Sequence, residues 1–481
     1  MKTKHTTLIL IFLLALLLRV SYLALMATVH SSDSILNLFP DSHSYTLIAK
    51  DILNETGEAN RVASDYRMLF RGPGYAGFLA ICFAIFGISV WPILVIQIIL
   101  SSLNTVLVVL LTKRFLPEWP RTALMAGLLC ATSLTAIALS CSILTETLFV
   151  SLFLVSLMCW WDGLVTGHWR YFIIAGLLLG CGCLVRSAGQ FWVLGTIILS
   201  WIIARRQNNY TLLLKTAVYA SLVLVIILGW VARNYYKHHI IALEVGSVST
   251  VKYYLGVKVY ARIHHQKDIV QIRETWGKDE AIQRLEYGER SHQEIHHQRI
   301  LFALDLIKRY PWEVMTTFFG LVYENISEKD SLHYMQLPQF QGIWRKIRKG
   351  YKLCIRLSLI LMVIGCFQLW RAKKYLSLVV LLTIYAYFAL ISGLTFWQGS
   401  RILFPAQVSW AILISAAFIV LKHSMETLGV PFFTHGGGPP INRDGPTTAS
   451  HTWDVGAPLK RDKLWHKDPR KKLISCFRSL P

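Results

Sequence analysis

The sequence predicts an all-α polytopic membrane protein with about ten transmembrane helices, within a range of eight to twelve. Of its 481 residues, 54% are hydrophobic, and the mean hydropathy is +0.46. Only 16% are charged, against roughly 25% in a soluble globular protein. Apolar runs long enough to cross a bilayer, about 20 residues each, recur along the chain. Few other protein classes share this composition.

The first apolar run is expected to be a retained span and not a cleaved signal peptide. It is longer than the roughly 7–15 residues of a signal h-region, and no A-x-A cleavage site follows it. Lys2 and Lys4 precede it and place the N-terminus on the cytoplasmic side. The candidate spans are 7–28, 90–112, 122–141, 143–161, 170–186, 189–204, 211–231, 351–370, 375–396 and 402–422.

An acid and an amphipathic helix come directly after the first span, in "PDSHSYTLIAKDI". From Asp41 onward, a helix would place Tyr45, Ile48, Ala49 and Ile52 on one face. Such a helix can lie flat in the headgroup layer, with its apolar face toward the membrane. Two shorter apolar stretches, 75–88 and 312–326, are also expected to form helices at the membrane edge.

Basic residues at the span ends predict the orientation, because cytoplasmic loops are enriched in Lys and Arg. The expected outer segments are the first loop, 29–74, a larger segment, 233–350, and the short loop 397–401. One conflict arises, since the basic stretch "WRKIRKGYK" (344–352) also falls outside. The expected cytoplasmic positions are Lys113–Arg114, His168–Arg170, Arg205–Arg206, Arg371–Lys374 and Lys422.

Two regions of different composition are expected, a transmembrane domain over 1–426 and a disordered basic tail over 427–481. The tail is rich in Gly, Pro and polar residues and has no apolar periodicity. The net charge is +22, from 49 basic and 27 acidic residues. In a membrane protein this excess suggests cytoplasmic loops that meet anionic lipids. No nucleic-acid partner is expected, because no soluble domain combines a basic stretch with interleaved aromatics.

The outer ends of the spans collect two acids and four arginines: Asp41, Arg71, Glu146, Arg186, Arg233 and Arg401. Arginine binds phosphate through a planar fork of donors, and a lipid phosphate lies at this level. A nearby Asp can act as a general base. Because the second pKa of a phosphate ester is about 6, phosphate can depart without a proton, and no second carboxylic acid is needed. Simpler interpretations remain, since Asp41 can cap a helix and the arginines can anchor span ends.

Several motifs, in order along the chain, resemble those of the membrane-embedded GT-C type glycosyltransferases. The similarity is to the bacterial relatives of protein mannosyltransferases and of the aminoarabinose transferase that modifies lipid A. After the first span and the Asp41 segment come "FRGPGYAGFLAICFAIFG", "LTETLF", "GCLVRSAG", "GWVARNYY" and "GSRILFPAQVSW". They are spread over residues 10–420. The chain departs from the family pattern at Ser42, Ala76 and Ile402, where a second acid, a proline and an aromatic residue are usual.

The resemblance implies an inverting transferase that takes a sugar from a polyprenyl-phosphate donor on the outer membrane face. It makes Asp41 the candidate base and Glu146 a possible ligand of a divalent cation. His43 is a further metal candidate, although a lone exposed histidine seldom binds a metal. Glycan, lipid and protein acceptors all remain open. The residues expected to bind substrate or lipid phosphate are Arg71, Tyr75, Arg186, Arg233 and Arg401.

Two other functions stay possible at this stage. A transporter or flippase for an anionic lipid would carry its charges near the bilayer midplane, often in paired repeats. Here the charges are predicted at one face, and no repeat is visible. The second alternative is a non-catalytic subunit of an envelope-assembly complex, which the missing second acid of the first loop permits.

Overall fold

The computed structural model describes residues 2–36, 38–54, 67–287, 291–327, 341–396 and 398–427. Most of these residues are in helices, and none of them is in a β-strand. This confirms the predicted all-α class. The helices of the first half are α1 Lys2–Ala27, α2 Ser32–Leu36, α3 Pro40–Ile52, α4 Pro73–Phe86, α5 Val90–Phe115, α6 Pro120–Ala131, α7 Leu134–Ser140, α8 Glu146–Thr166, α9 Trp169–Val185 and α10 Trp192–Gln207.

The second half begins with the long α11 Thr211–His238 and continues through the segment predicted to lie outside. The π-helical turn Val251–Gly256 joins two of its short helices. The helices are α12 Gly246–Thr250, α13 Val257–Ile263, α14 Ile269–Tyr287, α15 Ser291–Arg309, α16 Pro311–Ser327, α17 Gln341–Arg371, α18 Tyr375–Ser392, α19 Gly399–Ile402 and α20 Gln407–Thr427.

Among the described residues, seven helices are long and apolar enough to cross a membrane, or eight if the bent pair α6–α7 is one span. The pair bends by 52° at Thr132–Ser133, so the predicted span 122–141 is not one straight helix. Shorter apolar helices occupy Pro73–Phe86, Trp169–Val185 and Gln407–Phe418. The chain is therefore a multi-pass membrane protein, and the predicted count of about ten is not confirmed.

Some boundaries differ from the sequence prediction. The last span begins at Gln407, not at 402, because the short helix α19 and a turn precede it. The basic stretch 344–352 continues the backbone of α17, and its side of the membrane stays a prediction. The tail predicted over 427–481 lies outside the described residues apart from Thr427, which ends α20.

The amphipathic helix α3 packs its apolar face against other helices of the protein core. Tyr45, Ile48 and Ala49 are buried, and α3 contacts α4, whereas Ile52 is 42% exposed. The sequence pattern therefore found the correct face but the wrong partner, since its apolar residues meet other helices.

Close helix packing explains two glycines of α9, at positions 176 and 180. A Cβ atom on Gly176 would lie 2.7 Å from the carbonyl oxygen of Tyr219 in α11, and one on Gly180 would lie 2.6 Å from Ile226. Small residues four apart allow two membrane helices to approach closely. This contact fixes α9 between α8 and α11, and α9 ends at the site described below.

A buried arginine stabilises the break between α6 and α7. Arg19 of α1 is 0% exposed. It donates to the carbonyl oxygens of Ala131, at 3.2 Å, and Ala15, at 2.9 Å, and to Ser101 Oγ at 2.8 Å. The break at Thr132–Ser133 removes the helical partner of the Ala131 carbonyl, and an unpaired backbone group in a membrane is costly. Arg19 supplies the missing donor.

The replacement Arg19→Leu should therefore lower the stability of the protein, by about 1–3 kcal/mol. The measurement is the thermal unfolding midpoint of the purified full-length protein in detergent. Arg205→Leu, at an exposed position of α10, is the matched control and should leave the midpoint nearly unchanged. Equal midpoints for wild type and Arg19→Leu would show that the carbonyl at the break needs no such donor.

Candidate active site

Five charged residues, each at or near the end of a helix, form one connected cluster. A side chain at a helix end can extend beyond the apolar part of the span. Charged groups at these positions therefore stay out of the membrane interior. We call these five the acid–arginine cluster: Asp41 in the first turn of α3, Arg71 just before α4, Glu146 as the first residue of α8, Arg186 just after α9, and Arg401 in α19.

Arg401 joins the two acids of the cluster. Its Nη1 atom donates to Asp41 Oδ2, and its Nε atom donates to Glu146 Oε1. Arg71 pairs with the other oxygen of Asp41, and Arg186 pairs with Glu146. The side chain of Glu146 is 0% exposed and that of Asp41 is 19% exposed. Residues distant in the sequence thus share one ionic network.

The charge state of Asp41 follows from its neighbours. Burial by itself raises the pKa of the carboxyl group, but the positive charges of Arg401 and Arg71 outweigh it, so the pKa lies well below its ordinary value. Asp41 is also in the first turn of α3, where the helix dipole favours a negative charge. The N-cap of α3 is Phe39, so the possible capping role of Asp41 is wrong.

A cavity of about 220 Å³ opens beside the acid–arginine cluster, and we call it the cluster cavity. Four cluster members line it, with Tyr45, Ser187 and Thr145 adding hydroxyl groups and Ile391 and Leu394 adding apolar surface. The cluster members in its wall are Asp41, Arg71, Arg186 and Arg401.

A second acid in the cavity wall, Glu244, was not predicted. Its carboxylate accepts hydrogen bonds from Ser187 Oγ at 2.5 Å, from Ser247 Oγ at 3.2 Å and from the Gly72 backbone amide at 3.3 Å. The sequence did hold a signal, because Glu244 is the only acid between Asp162 and Asp268. Its place in a long apolar and basic stretch could have marked it.

The glycines of "FRGPGY" allow close backbone packing. A Cβ atom on Gly74 would lie 2.6 Å from the Val185 backbone nitrogen, and one on Gly72 would lie 2.5 Å from the Leu184 carbonyl oxygen. The start of α4 therefore lies against the end of α9. This contact brings Arg71 and Arg186 to the same cavity wall.

A hydrogen-bonded chain connects the segment 233–350 with Arg401. Gln398, which lines the cluster cavity, donates to Tyr254 Oη at 3.1 Å, and Arg273 of α14 donates to the same hydroxyl at 3.1 Å. The Gln398 carbonyl accepts from the Arg401 backbone amide at 3.1 Å. This segment thereby supports the turn that carries Arg401.

Three predicted site residues lie apart from the acid–arginine cluster. Tyr75 is fully buried and donates to Gln97 Oε1 at 2.7 Å, and its ring packs edge-on against Tyr45. Arg233 lies over the Trp230 ring and donates to Asn234 Oδ1 at 3.0 Å. His43 is exposed on α3. None of the three lines the cluster cavity.

The predicted metal role of Glu146 does not fit its surroundings. Both Asp41 and Glu146 already bind guanidinium groups, which a cation would have to displace. Within the described ranges, no group of three or more His, Cys, Asp or Glu side chains could hold a metal ion.

Residues 71–232 match the family model described as "Dolichyl-phosphate-mannose-protein mannosyltransferase". The predicted resemblance to GT-C type membrane glycosyltransferases is confirmed. The matched region covers roughly a third of the chain and contains Arg71, Glu146 and Arg186, whereas Asp41 and Arg401 lie on either side of it. No curated protein matches the chain significantly.

One similar solved structure is the archaeal oligosaccharyltransferase AglB from Archaeoglobus fulgidus, in complex with an inhibitory peptide and a dolichol-phosphate. The sequences are 13% identical, and the TM-score is 0.43. The alignment covers 88% of this chain and 51% of the AglB chain. The present chain therefore spans about half of the length of that protein.

The replacement Glu146→Gln should destabilise the protein by about 3–5 kcal/mol, because it leaves Arg186 and Arg401 buried without one of their counter-charges. The measurement is thermal or denaturant unfolding in detergent. Glu118→Gln is the matched control, since Glu118 is 59% exposed in its pair with Lys374 and should cost at most about 1 kcal/mol. Equal losses in the two variants would mean that the cluster adds no more stability than a surface pair.

Proposed function

We propose that the protein transfers a sugar, a hexose or a pentose, from a polyprenyl-phosphate-linked donor to an acceptor on the outer face of the plasma or inner membrane. The observation that carries the proposal is the sharing of Arg401 between Asp41 and Glu146 beside a cavity at the helix ends. The family match over 71–232 supports the reaction class. The acceptor is a glycan, a lipid or a protein.

The charge of the acid–arginine cluster suits a phosphodiester. The wall of the cluster cavity carries the guanidinium groups of Arg71, Arg186 and Arg401 and the carboxylates of Asp41 and Glu244, which leaves one excess positive charge at its surface. Glu146 is fully buried and does not line the cavity. A polyprenyl-phosphate sugar carries one negative charge at its diester. The planar donors of Arg71, Arg186 and Arg401 can each bind phosphate oxygens in pairs.

A second cavity, mostly apolar, is lined by the residues that directly follow Arg401 and Ile402 in the chain, and we assign the hydrocarbon tail of the donor to it. It measures about 400 Å³, and we call it the apolar cavity. Arg401 and Ile402 line the cluster cavity, whereas Leu403 and Phe404 line the apolar one. Four consecutive residues thus line first a polar and then an apolar cavity. This order suits a phosphate group that is joined to a hydrocarbon tail. Ile355, Trp410 and Ile414 are among its other lining residues.

The proposed reaction is a single displacement at the anomeric carbon, which inverts its configuration. The acceptor oxygen or nitrogen attacks this carbon, the bond to the phosphate oxygen breaks, and polyprenyl phosphate departs with the electron pair. Asp41 takes the acceptor proton. The arginines stabilise the charge that develops on the phosphate. Glu146 remains the counter-ion of Arg186, and no step uses a metal.

Donor binding would also make Asp41 a stronger base. Without donor, Arg401 and Arg71 lower the pKa of Asp41, and their effect is larger than the opposite effect of burial. A phosphate in the cluster cavity attracts the same two guanidinium groups. When these guanidinium groups shift part of their hydrogen bonding from the Asp41 carboxylate to the phosphate, the proton affinity of Asp41 rises. Asp41 then becomes a stronger base at the moment when the reaction needs one.

The replacement Asp41→Asn should reduce sugar transfer by about 10²–10⁴-fold, because it removes the base. The measurement uses cells that lack the protein, in which the polyprenyl-linked sugar donor should accumulate and is quantified by mass spectrometry. Wild type should clear the donor, and Asp41→Asn at equal expression should not. Asp33→Asn, an exposed acid in α2, is the matched control and should act like wild type.

Two outcomes would contradict this scheme in different ways. If Asp41→Asn clears the donor as fast as wild type does, then Asp41 is not the base. If no polyprenyl-linked sugar accumulates without the protein, then the proposed reaction class is wrong, and transport or a structural role replaces it.

The outer-face orientation predicts that cysteines at positions 43 and 264 react with a membrane-impermeant maleimide in intact cells. Both histidines at these positions are exposed. A cysteine at position 205, at the other end of α10, should react only after the membrane is opened. Each of the three cysteines is introduced singly into a variant that lacks the nine native cysteines. Protection of positions 43 and 264 together with labelling of 205 would reverse the topology.

A further inference from the structure

We propose that the end of the helix bundle opposite the acid–arginine cluster holds a binding site for an anionic phospholipid. The site is a cavity of about 390 Å³, which we call the basic cavity. Lys113, Arg114, Lys373 and Lys374 line it, with Asp162 as the one acid in its wall. This inference is independent of the proposed function.

Three helices place the basic cavity at the other membrane surface. On α5, Gln97 accepts a hydrogen bond from Tyr75, whose ring packs against Tyr45 in the wall of the cluster cavity, whereas Lys113 lies 16 residues further along. On α8, Glu146 and Asp162 are also 16 residues apart. Sixteen residues of α-helix span about 24 Å, close to the thickness of the hydrocarbon core. On α18, Tyr375 lines the basic cavity, and Ser392 lies at the cluster end.

The walls of the basic cavity are fixed by polar contacts between helices. Arg114 Nε lies 3.0 Å from both carboxylate oxygens of Asp162 and so joins α5 to α8. Ser377 Oγ donates to the Phe115 carbonyl oxygen at 2.8 Å, and Lys374 Nζ lies 2.7 Å from Glu118 Oε2. These contacts hold α18 against the end of α5. The cavity is therefore built into the packing.

Two cations in the wall are available for a ligand. Asp162 neutralises Arg114 and Glu118 neutralises Lys374, whereas Lys113 and Lys373 form no ion pair within the described part of the chain. Lys373 has a φ angle of 56°, a conformation in which glycine or asparagine is favoured over lysine. A lysine thus occupies a backbone position that other residues would suit better.

The remaining wall suits acyl chains and not a free anion. Leu110, Phe115, Trp161, Val165 and Leu376 line the basic cavity beside the lysines. Basic pockets between helices at the cytoplasmic surface bind anionic lipid headgroups, and the apolar wall can contact the hydrocarbon below. The chain's own segment 428–481 does not suit the cavity, because it is basic as well.

The test compares lipids retained by the purified full-length protein after reconstitution with equimolar phosphatidylglycerol and phosphatidylcholine, by native mass spectrometry. Wild type should retain phosphatidylglycerol preferentially. In the double variant K113A/K373A, the ratio of retained phosphatidylglycerol to phosphatidylcholine should fall about tenfold. The control R205A/K215A removes two cations near the same membrane surface that contact Trp201 and Trp169 and lie outside the basic cavity, and it should keep the preference.

A second variant keeps the proposal testable if K113A/K373A folds poorly. Val165→Trp fills the basic cavity without a change of charge and should also abolish the preference. Excess inorganic phosphate should not displace the retained lipid. The proposal is overturned if wild type shows no preference, if Val165→Trp retains it, if R205A/K215A loses as much as K113A/K373A, or if inorganic phosphate displaces the lipid.

Discussion

The guanidinium group of Arg401 contacts the carboxylates of Asp41 and Glu146, and the arrangement of the helix ends depends on this shared contact. The two acids begin α3 and α8, and each has a further arginine from another helix end. A buried carboxylate without a partner would be very costly. The end of α9, the start of α4 and the turn of α19 must therefore meet at one place.

The segment between α11 and α17 supports this contact from outside the apolar helices. Glu280 of α14 accepts hydrogen bonds from Arg299 at 3.1 Å and from Tyr253 at 2.7 Å. Burial by itself raises the pKa of Glu280, but the opposite effect of these donors is larger, so that the pKa is lowered to about 2. The ion pair fixes α14 and α15 beside the 251–256 turn, which also carries Tyr254. Through Tyr254 and Gln398, the segment contacts the backbone of Arg401.

Much of this architecture could be predicted from local sequence, and the errors have physical causes. Hydropathy located the long spans because composition alone decides them, but it missed the bend at Thr132–Ser133, which depends on a donor from Arg19. Cluster residues such as Asp41 and Arg401 were predicted because charges at apolar ends are rare. Tyr75 and Arg233 share that setting but point to other partners, which spacing cannot reveal. Glu244 was missed because its partners are two serines and an amide from other segments.

The sequence separation of Asp41 and Arg401 has a consequence for biogenesis. A ribosome must translate some 360 residues after the first carboxylate before the shared arginine exists. Of the arginines that pair with the two acids, only Arg71 and Arg186 come before Arg401 in the chain. The ionic link of the cluster can therefore close only after α19, which carries Arg401 between α18 and α20, has been translated.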